Sequence, residues 1–536
     1  MTGAQLFVSC LQAGGIDTIF ALPGEETTDL INALDSSDID VVLCRHEQAA
    51  AFMASVHGRL TGRPAVCLAT LGPGATNLVT GVADATLDLA PFIAVTGQGA
   101  RRRVPEGKNS HQIIDLEKLF EPVTKRSRMI WSGAEIPDAV SEALDLSMRP
   151  RPGAVHLSLP EDLASEDVEG APVQSPLRHA PTAAPEAIAK ATQRISKSKR
   201  PIVLTGNGVV RTGATAALAH LLAETGLPVA SSFMSKGAVD PNDMQFIGTF
   251  GLPSHDNVDD AILEADLILT VGLDPVEYPL DKLSNGRATP VVALSEIELN
   301  TGADWSPDVE VAGSLLVSLE ALTEALSAQH WEVWPKAEEA RSALLRDLNW
   351  ARGRFESQPP DATALALAVS DALTDESVLI SGVGTHKLAL ARNTAPRKPG
   401  QIIIGNGLAG MGIALPGAIA AARLGRFDRV LAVCGDGEVM MNVQDMETAS
   451  RLDLDITMVV WVDGGFGLIE DKQEQDTGTR PDLSFLDMKW RQLAEAFGWH
   501  HTHCETAGEL RWQLDRRHPP RRRLITVPVS YRGDLA

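Results

Sequence analysis

The stretch 429–473, RVLAVCGDGEVMMNVQDMETASRLDLDITMVVWVDGGFGLIEDKQ, predicts a strand, a tight turn, a helix and a second strand. Residues 430–434 form a short apolar run, and the glycine-rich triplet 435–437 breaks it. Apolar residues then recur at spacings of three and four from about 440 to 451, which indicates a helix with a buried face. A second apolar run, 456–462, ends at Asp463. The stretch is therefore expected to form one strand–helix–strand unit of a parallel sheet.

Two aspartates follow the two predicted strands. Asp436 and Asp463 each lie just past a strand end, and parallel strands joined by a crossover helix place those ends at one edge of the sheet. Carboxylates and backbone carbonyls suit Mg²⁺, which also keeps positions for phosphate oxygens. Taken alone, the turn at 435–437 could belong to an ordinary strand–turn–helix unit in which Asp436 is a surface residue. The second aspartate, followed by two glycines, favours a Mg²⁺–diphosphate clamp, because the glycines let a phosphate approach a helix start.

The composition limits the fold and the partners. The chain has 536 residues, which is enough for three domains of ordinary size. The net charge of −23 argues against a nucleic-acid partner. No apolar run reaches the ~18 residues of a membrane helix, and no signal-peptide pattern opens the chain. The five cysteines are scattered without metal-ligand spacing, which predicts reduced thiols in a cytoplasmic protein.

The remaining sequence alternates predicted helices and strands in two further regions. Residues 4–168 and 201–326 both show this alternation, which predicts doubly wound parallel α/β sheets. A segment rich in proline and alanine, 171–185, has no periodicity and is interpreted as an interdomain linker. We therefore expect domains at 1–170, 186–330 and 361–536.

The same residues carry a resemblance to a known family. The glycine–aspartate turn followed by a second turn at Asp463 is similar to the motif of thiamine-diphosphate enzymes. The text over 435–469 resembles the acetolactate synthase catalytic subunits. Residues 271–279 and 305–313 look closest to the catabolic, FAD-independent type. The resemblance implies a pyrimidine-binding domain, a central Rossmann-like domain and a diphosphate-binding domain. It also implies that Mg²⁺ is bound by Asp436, Asp463 and the backbone of Gly465.

Glu47 is the catalytic residue that the resemblance implies. It lies in the segment RHEQAAAFMA (45–54), where a strand end leads into a helix of small apolar residues. The family's glutamate at this place hydrogen-bonds a pyrimidine nitrogen of thiamine diphosphate and promotes the form that activates the cofactor. On residue type alone, a carboxylate in the first helical turn that interacts with the helix dipole is the commoner use.

Further contacts to thiamine diphosphate are implied by glycine-rich turns and their neighbours. Taken singly, the turns could equally be structural, and a core methionine is the alternative for Met411. The resemblance implies that Met411 supports a bent cofactor. The residues implied to bind the cofactor, besides Glu47, are Pro23, Gly24, Gly72, Asn77, Gly384, His386, Gly410, Met411, Gly435, Asp436, Gly437, Gly465 and Phe466.

The central domain is not expected to bind a flavin. Residues 206–208 follow a predicted strand as Gly-Asn-Gly, but the spacing is not GxGxxG and no acidic residue follows at the expected place. The basic, aspartate-rich loop that binds FAD in the anabolic relatives is also missing. Both observations argue against FAD as a cofactor.

The resemblance implies that pyruvate is decarboxylated and its two-carbon unit joined to a second 2-oxo acid, which gives 2-acetolactate when that acid is pyruvate. His111 and Gln112 resemble a substrate-side pair of the catabolic enzymes. Lys472 and Gln473 stand where relatives select the acceptor, and they depart from the family pattern. The acceptor is therefore open. A 2-oxo acid decarboxylase or a carboligase with another acceptor remains an alternative, as does a cofactor-binding protein without catalysis.

The expected partners are small 2-oxo acid substrates, with neither nucleic acid nor membrane. In the family the two outer domains meet across a subunit interface, which implies a homodimer or homotetramer. The sequence does not indicate whether a regulatory subunit binds.

Overall fold

The chain is described by a computed structural model that covers residues 1–173, 180–253, 255–279, 282, 289–299, 306–516 and 518–531. It folds into two compact units, each built from segments that are distant in the sequence. The first unit contains Met1–His179, Gly407–Gly425 and Met441–Leu454. The second contains Ala180–Asn406, Arg426–Met440 and Asp455–Ala536.

Among the described residues, the first unit contains one parallel sheet of six strands. Its strands are β1 Thr18–Leu22, β2 Asp40–Leu43, β3 Ala65–Ala69, β4 Phe92–Gln98, β5 Arg126–Met129 and β6 Ala154–Pro160. They lie in the order β2-β1-β3-β4-β6-β5. The α-helices of this region are Gly3–Ala13, Thr28–Asp35, Glu47–Thr61, Pro73–Leu87, Leu116–Phe120, Ile136–Met148 and Glu161–Ser165. Short 3-10 helices are Glu25–Thr27, Val104–Asn109, Glu121–Val123 and Gly133–Glu135.

Small residues let two helices of this sheet pack closely. The helix Glu47–Thr61 begins where the His46 side chain accepts a hydrogen bond from the Gln48 N–H, and it ends at Gly62 in the left-handed conformation. It packs against the helix Pro73–Leu87. A Cβ added to Gly81 would lie 2.4 Å from the Ala51 Cβ, so these backbones approach more closely than larger side chains would allow.

Two segments from later in the chain complete the first unit. The helix Ala414–Arg423 packs on the helix Glu47–Thr61, and Arg423 pairs with Asp40. The helix predicted over 440–451 is wrong as one continuous element, because a 3-10 turn Val443–Asp445 precedes the helix Met446–Arg451. Asn442 has non-helical φ and ψ of −134° and 27°, and its side-chain amide donates to the Gly412 carbonyl at 3.0 Å. This side-chain bond competes with the helical backbone.

The second unit contains a central sheet, again with six parallel strands among the residues described. Its strands are β7 Pro201–Thr205, β8 Val229–Ser231, β9 Phe246–Thr249, β10 Leu267–Val271, β11 Val291–Ser295 and β12 Val309–Ala312. The order β12-β11-β10-β7-β8-β9 is that of doubly wound dinucleotide-binding domains. The helices are Pro185–Ser196, Asn207–Arg211, Thr215–Thr225, Asn257–Glu264, Leu315–Leu326 and Pro335–Arg352. Of the predicted linker 171–185, residues 174–179 lie outside the described part.

The C-terminal sheet repeats the strand order of the first sheet. Its six strands in the described ranges are β13 Ser377–Ser381, β14 Ile402–Ile404, β15 Arg429–Gly435, β16 Ile456–Val462, β17 His500–His503 and β18 Arg522–Pro528. They lie in the order β14-β13-β15-β16-β18-β17, all parallel. The helices are Ala362–Asp371, Thr385–Asn393, Asp436–Val439, Gly467–Thr477, Trp490–Ala496 and Ala507–Leu514. The predicted three-sheet α/β architecture is therefore confirmed.

Apolar side chains fill both faces of each sheet, and Trp461 on β16 is the largest fully buried side chain among the described residues. All five cysteines are buried free thiols. Among the described helices, none combines the length and the apolar character that crossing a membrane requires.

Candidate functional site

The strand orders locate three crevices where ligands are expected. In open α/β sheets, ligands bind beyond the carboxyl ends of the strands, where the strand order reverses. That point lies between β1 and β3 in the first sheet, between β7 and β10 in the central sheet, and between β13 and β15 in the C-terminal sheet. The residues predicted to bind the cofactor at strand ends of the first and C-terminal sheets follow either a strand at one of these crevices or the strand next to it.

Glu47 lies at the crevice of the first sheet and is only 7% exposed. It begins its helix just after β2, and its Oε2 accepts a 3.0 Å hydrogen bond from the Asn77 side-chain amide. A Cβ on Gly74 would lie 3.4 Å from Oε1. The structure therefore brings Glu47 and Asn77 together, with one carboxylate oxygen held by an amide and the other beside a glycine.

The glycine turns that follow β1 and β3 lie beside this pair. Gly24, preceded by the exposed Pro23, packs so closely on Thr70 that an added Cβ would lie 2.6 Å from the threonine Cβ. Gly72 has a φ of +53°, which disfavours other residues, and an added Cβ would lie 2.9 Å from the Gln112 carbonyl oxygen. Gln112 therefore approaches the first crevice through its backbone.

His111 and Gln112 form an exposed turn after the 3-10 helix Val104–Asn109. Gln112 has a φ of +58°, an unusual conformation for a residue other than glycine.

Gly410 packs in the same unit, since an added Cβ would lie 3.2 Å from the Phe52 ring. The half-buried Met411 follows it, so this loop lies in the unit that contains Glu47.

Two acidic residues near Glu47 were missed from the sequence. Glu26 accepts a 2.7 Å hydrogen bond from the Thr70 hydroxyl. Asp445, which is fully buried, accepts the Arg45 N–H at 3.0 Å and the Thr448 hydroxyl at 2.8 Å. Burial raises the pKa of Asp445 to about 6. Asp445 thus holds the backbone two residues before Glu47, and only its remote position in the chain hid it.

The predicted metal ligands meet at the C-terminal sheet. Gly435 pairs with Trp461 across β15 and β16, so Asp436 and Asp463 follow almost level strand ends. The Asp436 carboxylate accepts the N–H groups of Gly437 at 2.8 Å and Gly464 at 2.9 Å. Burial and then the neighbouring Asp436 carboxylate raise the pKa of Asp463 to about 7. This pair of carboxylates is therefore a candidate site for a divalent cation.

Aromatic side chains close one side of this pair of turns. Phe466 and Phe485 pack edge to face with ring centres 4.8 Å apart, and a Cβ on Gly437 would lie 3.1 Å from both rings. Gly465 forms a bridge with Ser484, and an added Cβ would lie 2.8 Å from the Leu483 carbonyl oxygen. Side chains at positions 437 and 465 would therefore push the turns apart.

His386 lies beside the first of these turns. It is 2% exposed in the helix Thr385–Asn393, which follows the Gly382–Gly384 turn at the end of β13. A Cβ on Gly435 would lie 3.5 Å from its Nδ1, and Gly384 precedes its helix with a φ of +156°. The neighbouring Glu438, which the sequence did not single out, is also buried and lies in the same crevice.

An open cleft of about 350 Å³ lies beside Asp463. Its other charged lining residues are Glu470, Asp471 and Arg480, and the Arg480 guanidinium forms ion pairs with both acids and with Glu474. Lys472 and Gln473 are exposed on the helix Gly467–Thr477 and do not line this cleft.

The central crevice holds a carboxylate of the chain itself. Glu277 follows β10 and accepts the Asn207 N–H at 2.9 Å and the Ser232 hydroxyl at 2.6 Å. Asn207 begins the short helix after β7, so these donors lie where a dinucleotide-binding domain would place a phosphate. Burial raises the pKa of Glu277 to about 7.

The residues present fit thiamine diphosphate with Mg²⁺. The Asp436–Asp463 pair offers hard carboxylates of the kind that Mg²⁺ prefers, and the glycine turn before His386 lies in the same crevice, where its Val383 N–H donates to Glu438. The buried His386 Nε2 makes no hydrogen bond among the described residues and lies 3.4 Å from the Glu438 carboxylate, so its hydrogen-bonding capacity is unused. In the first unit, the buried Glu47 carboxylate is the group that could meet a ring nitrogen of the cofactor.

Comparison with known proteins identifies the family to which the chain belongs. Models of the thiamine pyrophosphate enzyme family match the N-terminal TPP binding domain at residues 1–119, the central domain at 188–322 and the C-terminal TPP binding domain at 382–520. The acetolactate synthase of Bacillus subtilis is 30% identical over 99% of this chain and 94% of its own length. The acetolactate synthase isozyme 2 large subunit of Escherichia coli is 32% identical over 96% and 93%. The catabolic acetolactate synthase of Raoultella terrigena is 30% identical over 99% and 96%. The chain therefore belongs to the thiamine pyrophosphate enzymes and is an enzyme of the acetolactate synthase type.

Proposed function

We propose that this enzyme decarboxylates pyruvate and joins the remaining two-carbon unit to a second 2-oxo acid, forming 2-acetolactate when the acceptor is pyruvate. The observation that carries the proposal is the combination, in one chain, of a buried Glu47 held by Asn77 and a close Asp436–Asp463 pair. The relatives from Bacillus subtilis and Raoultella terrigena are acetolactate synthases, which supports the same reaction.

Thiamine diphosphate, when bound, supplies a carbon centre that accepts the electrons released by decarboxylation. In the proposed arrangement, Asp436, Asp463 and the Gly465 carbonyl would hold Mg²⁺, which would supply positive charge for the diphosphate. Gly384, His386, Gly435, Gly437 and Phe466 line that end of the cofactor. In the first unit, Pro23, Gly24, Gly72, Glu47, Asn77, Gly410 and Met411 would bind the pyrimidine part of a cofactor molecule.

Glu47 would hold a proton for a ring nitrogen of the cofactor. Asn77 donates to Oε2 and leaves Oε1 as the oxygen that faces Gly74, where no side chain stands in the way. Because only 7% of Glu47 is exposed, a bound partner rather than bulk water would face this carboxyl. Asp445 fixes the backbone at Arg45 and thereby the direction from which Glu47 enters the site.

The two aspartates of the C-terminal sheet would hold the cation, whose charge would offset theirs. Both carboxylates must be ionised to bind a cation, and burial together with the neighbouring Asp436 carboxylate raises the pKa of Asp463 to about 7, so a cation would favour an ionisation that this environment disfavours. Mg²⁺ binding is therefore expected to release a proton near neutral pH.

We further propose that the enzyme is of the catabolic type and works without FAD. Glu277 already takes the Asn207 and Ser232 donors in the central crevice, and a phosphate there would meet its carboxylate. The acceptor 2-oxo acid is assigned to the side of the site near His111 and Gln112. Lys472 and Gln473 belong to the proposal only as candidates, because both are exposed in the described chain. The proposed working form is a homodimer or homotetramer.

The test is turnover of pyruvate by the purified full chain with Mg²⁺ and thiamine diphosphate and without FAD, measuring CO₂ and acetolactate together. Acetolactate in a one-to-one ratio with CO₂ is the expected result. Acetaldehyde with CO₂ would instead identify a decarboxylase. A product other than acetolactate, formed only when a second 2-oxo acid is added, would identify a different acceptor.

Glu47→Gln tests the role of the carboxyl. The amide keeps the shape and cannot exchange the proton, so turnover should fall by about 10²–10⁴-fold while thiamine diphosphate still binds. Glu25→Gln, at an exposed position in the turn after β1, serves as the matched control and should leave turnover unchanged. Full activity of Glu47→Gln would refute the assignment.

A further inference from the structure

The crevice between β13 and β15 already holds an anion that belongs to the chain. The Glu438 side chain is 1% exposed, and its Oε2 accepts the Val383 N–H at 2.7 Å. The same oxygen lies 3.4 Å from His386 Nε2, which makes no hydrogen bond within the described part of the chain. Val383 lies within the glycine turn that opens the helix Thr385–Asn393.

These donors are the ones that an anionic ligand would need. The turn lies at the point where the strand order of the C-terminal sheet reverses, and the helix that follows presents its positive end there. Gly435, the residue before Asp436, lies against the His386 ring. A diphosphate bound to a cation at Asp436 would therefore reach Val383 and His386.

The fit of Glu438 into this turn is close. A Cβ on Gly382 would lie 1.8 Å from the Glu438 Oε2, so the glycine leaves the space that the carboxylate fills. A phosphate group and this carboxylate cannot occupy the same volume, and both are negatively charged. Either the carboxylate leaves or the phosphate stays out.

We propose that Glu438 is an internal anion seated in the diphosphate cradle of the C-terminal domain, and that thiamine diphosphate must displace its carboxylate from Val383 and His386 in order to bind. The inference rests on the proposed cofactor site at this edge of the sheet. It makes Glu438 a residue that sets the affinity for the cofactor, and it predicts that the chain binds thiamine diphosphate more weakly than its other site residues would allow.

The experiment measures the Kd of thiamine diphosphate, with inorganic pyrophosphate and thiamine as probes, by calorimetry on the full chain with Mg²⁺. Glu438→Gln removes the charge and keeps the shape, Glu438→Ala removes the side chain, and Glu376→Gln changes an exposed glutamate of the same domain as the control. Both Glu438 variants should bind thiamine diphosphate and pyrophosphate at least tenfold more tightly than the unchanged chain. The affinity for thiamine, which has no phosphate, and the behaviour of the control should not change.

Equal or weaker binding by a folded Glu438→Gln variant would overturn the inference and leave the cofactor site intact. Failure of every folded chain, including the unchanged one, to bind thiamine diphosphate would overturn the proposed cofactor site, and the inference with it. If the variants do not fold, a crystal structure of the unchanged chain with Mg²⁺ and thiamine diphosphate decides. The Glu438 carboxylate should have left the Val383 N–H, and its retention there beside the bound cofactor would refute displacement.

Discussion

Glu277→Gln should stabilise the central domain at alkaline pH and leave it unchanged in acid. Glu277 is enclosed in the central crevice, and burial raises its pKa from 4.5 to about 7 against the opposing effect of its hydrogen bonds from Ser232, Asn207 and Asp274. Between pH 4.5 and about 7, Glu277 therefore keeps its proton in the folded chain and loses it in the unfolded chain. Because the folded state binds more protons there, stability falls as pH rises through that window.

The size of the effect follows from the pKa difference. A carboxyl that titrates near 7 when folded and near 4.5 when unfolded removes about 3 kcal/mol of folding free energy by pH 8. Glutamine resembles the protonated side chain at every pH. The variant and the unchanged chain should therefore be equally stable at pH 4.5 or below, and the variant should be more stable by up to about 3 kcal/mol at pH 8.

Hydrogen exchange of the central strands measures this difference without requiring the whole chain to unfold in one step. Protection factors, corrected for the intrinsic pH dependence of exchange, should be compared for peptides that cover β7 and β10. Glu277→Gln should raise them by up to roughly a hundredfold at pH 8. Glu324→Gln, an exposed substitution in the helix Leu315–Leu326, is the matched control. Equal protection of Glu277→Gln and the unchanged chain at pH 8 would refute the reasoning.

Three further predictions concern the outer domains. Asp436→Asn should abolish the Mg²⁺ dependence of thiamine diphosphate binding, measured by calorimetry with and without chelator, and a retained dependence would remove Asp436 from the metal site. Gly81→Ala should destabilise the first unit by about 1–3 kcal/mol, because its Cβ would lie 2.4 Å from the Ala51 Cβ, and an unchanged thermal melting curve would contradict this packing. Asp445→Ala should cost about 1–3 kcal/mol by removing the acceptor of the Arg45 N–H and of the buried Thr448 hydroxyl, and it should lower turnover in parallel; normal stability and turnover would refute the positioning role.

The strands and turns of the C-terminal domain were predictable because their signals are local. The apolar run predicted over 456–462 coincides with β16, and the run over 430–434 lies within β15. Buried parallel strands require continuous apolar residues, and glycine turns end them, so neighbouring residues carry the information. The parallel arrangement then brings Asp436 and Asp463 to one edge without any further knowledge of the structure.

The helix after β15 shows where a local signal is insufficient. The apolar spacing over 440–451 suggests one helix, yet the Asn442 side chain bonds to Gly412, thirty positions earlier in the chain. A periodic pattern records which side chains are apolar and does not record such a remote acceptor. The short turn and the helix Met446–Arg451 follow from that tertiary contact.

What the sequence by itself determined is the set of sheets, the glycine turns and the residue types at their ends. What only the tertiary structure decided is the use of three buried acids, because each takes a backbone partner that lies far away in the chain. Glu438 bonds to Val383 across 55 positions, Glu277 to Asn207 across 70, and Asp445 to Arg45 across 400. A buried carboxylate is stable only with such donors, and the donors become neighbours only when the parallel strands have assembled.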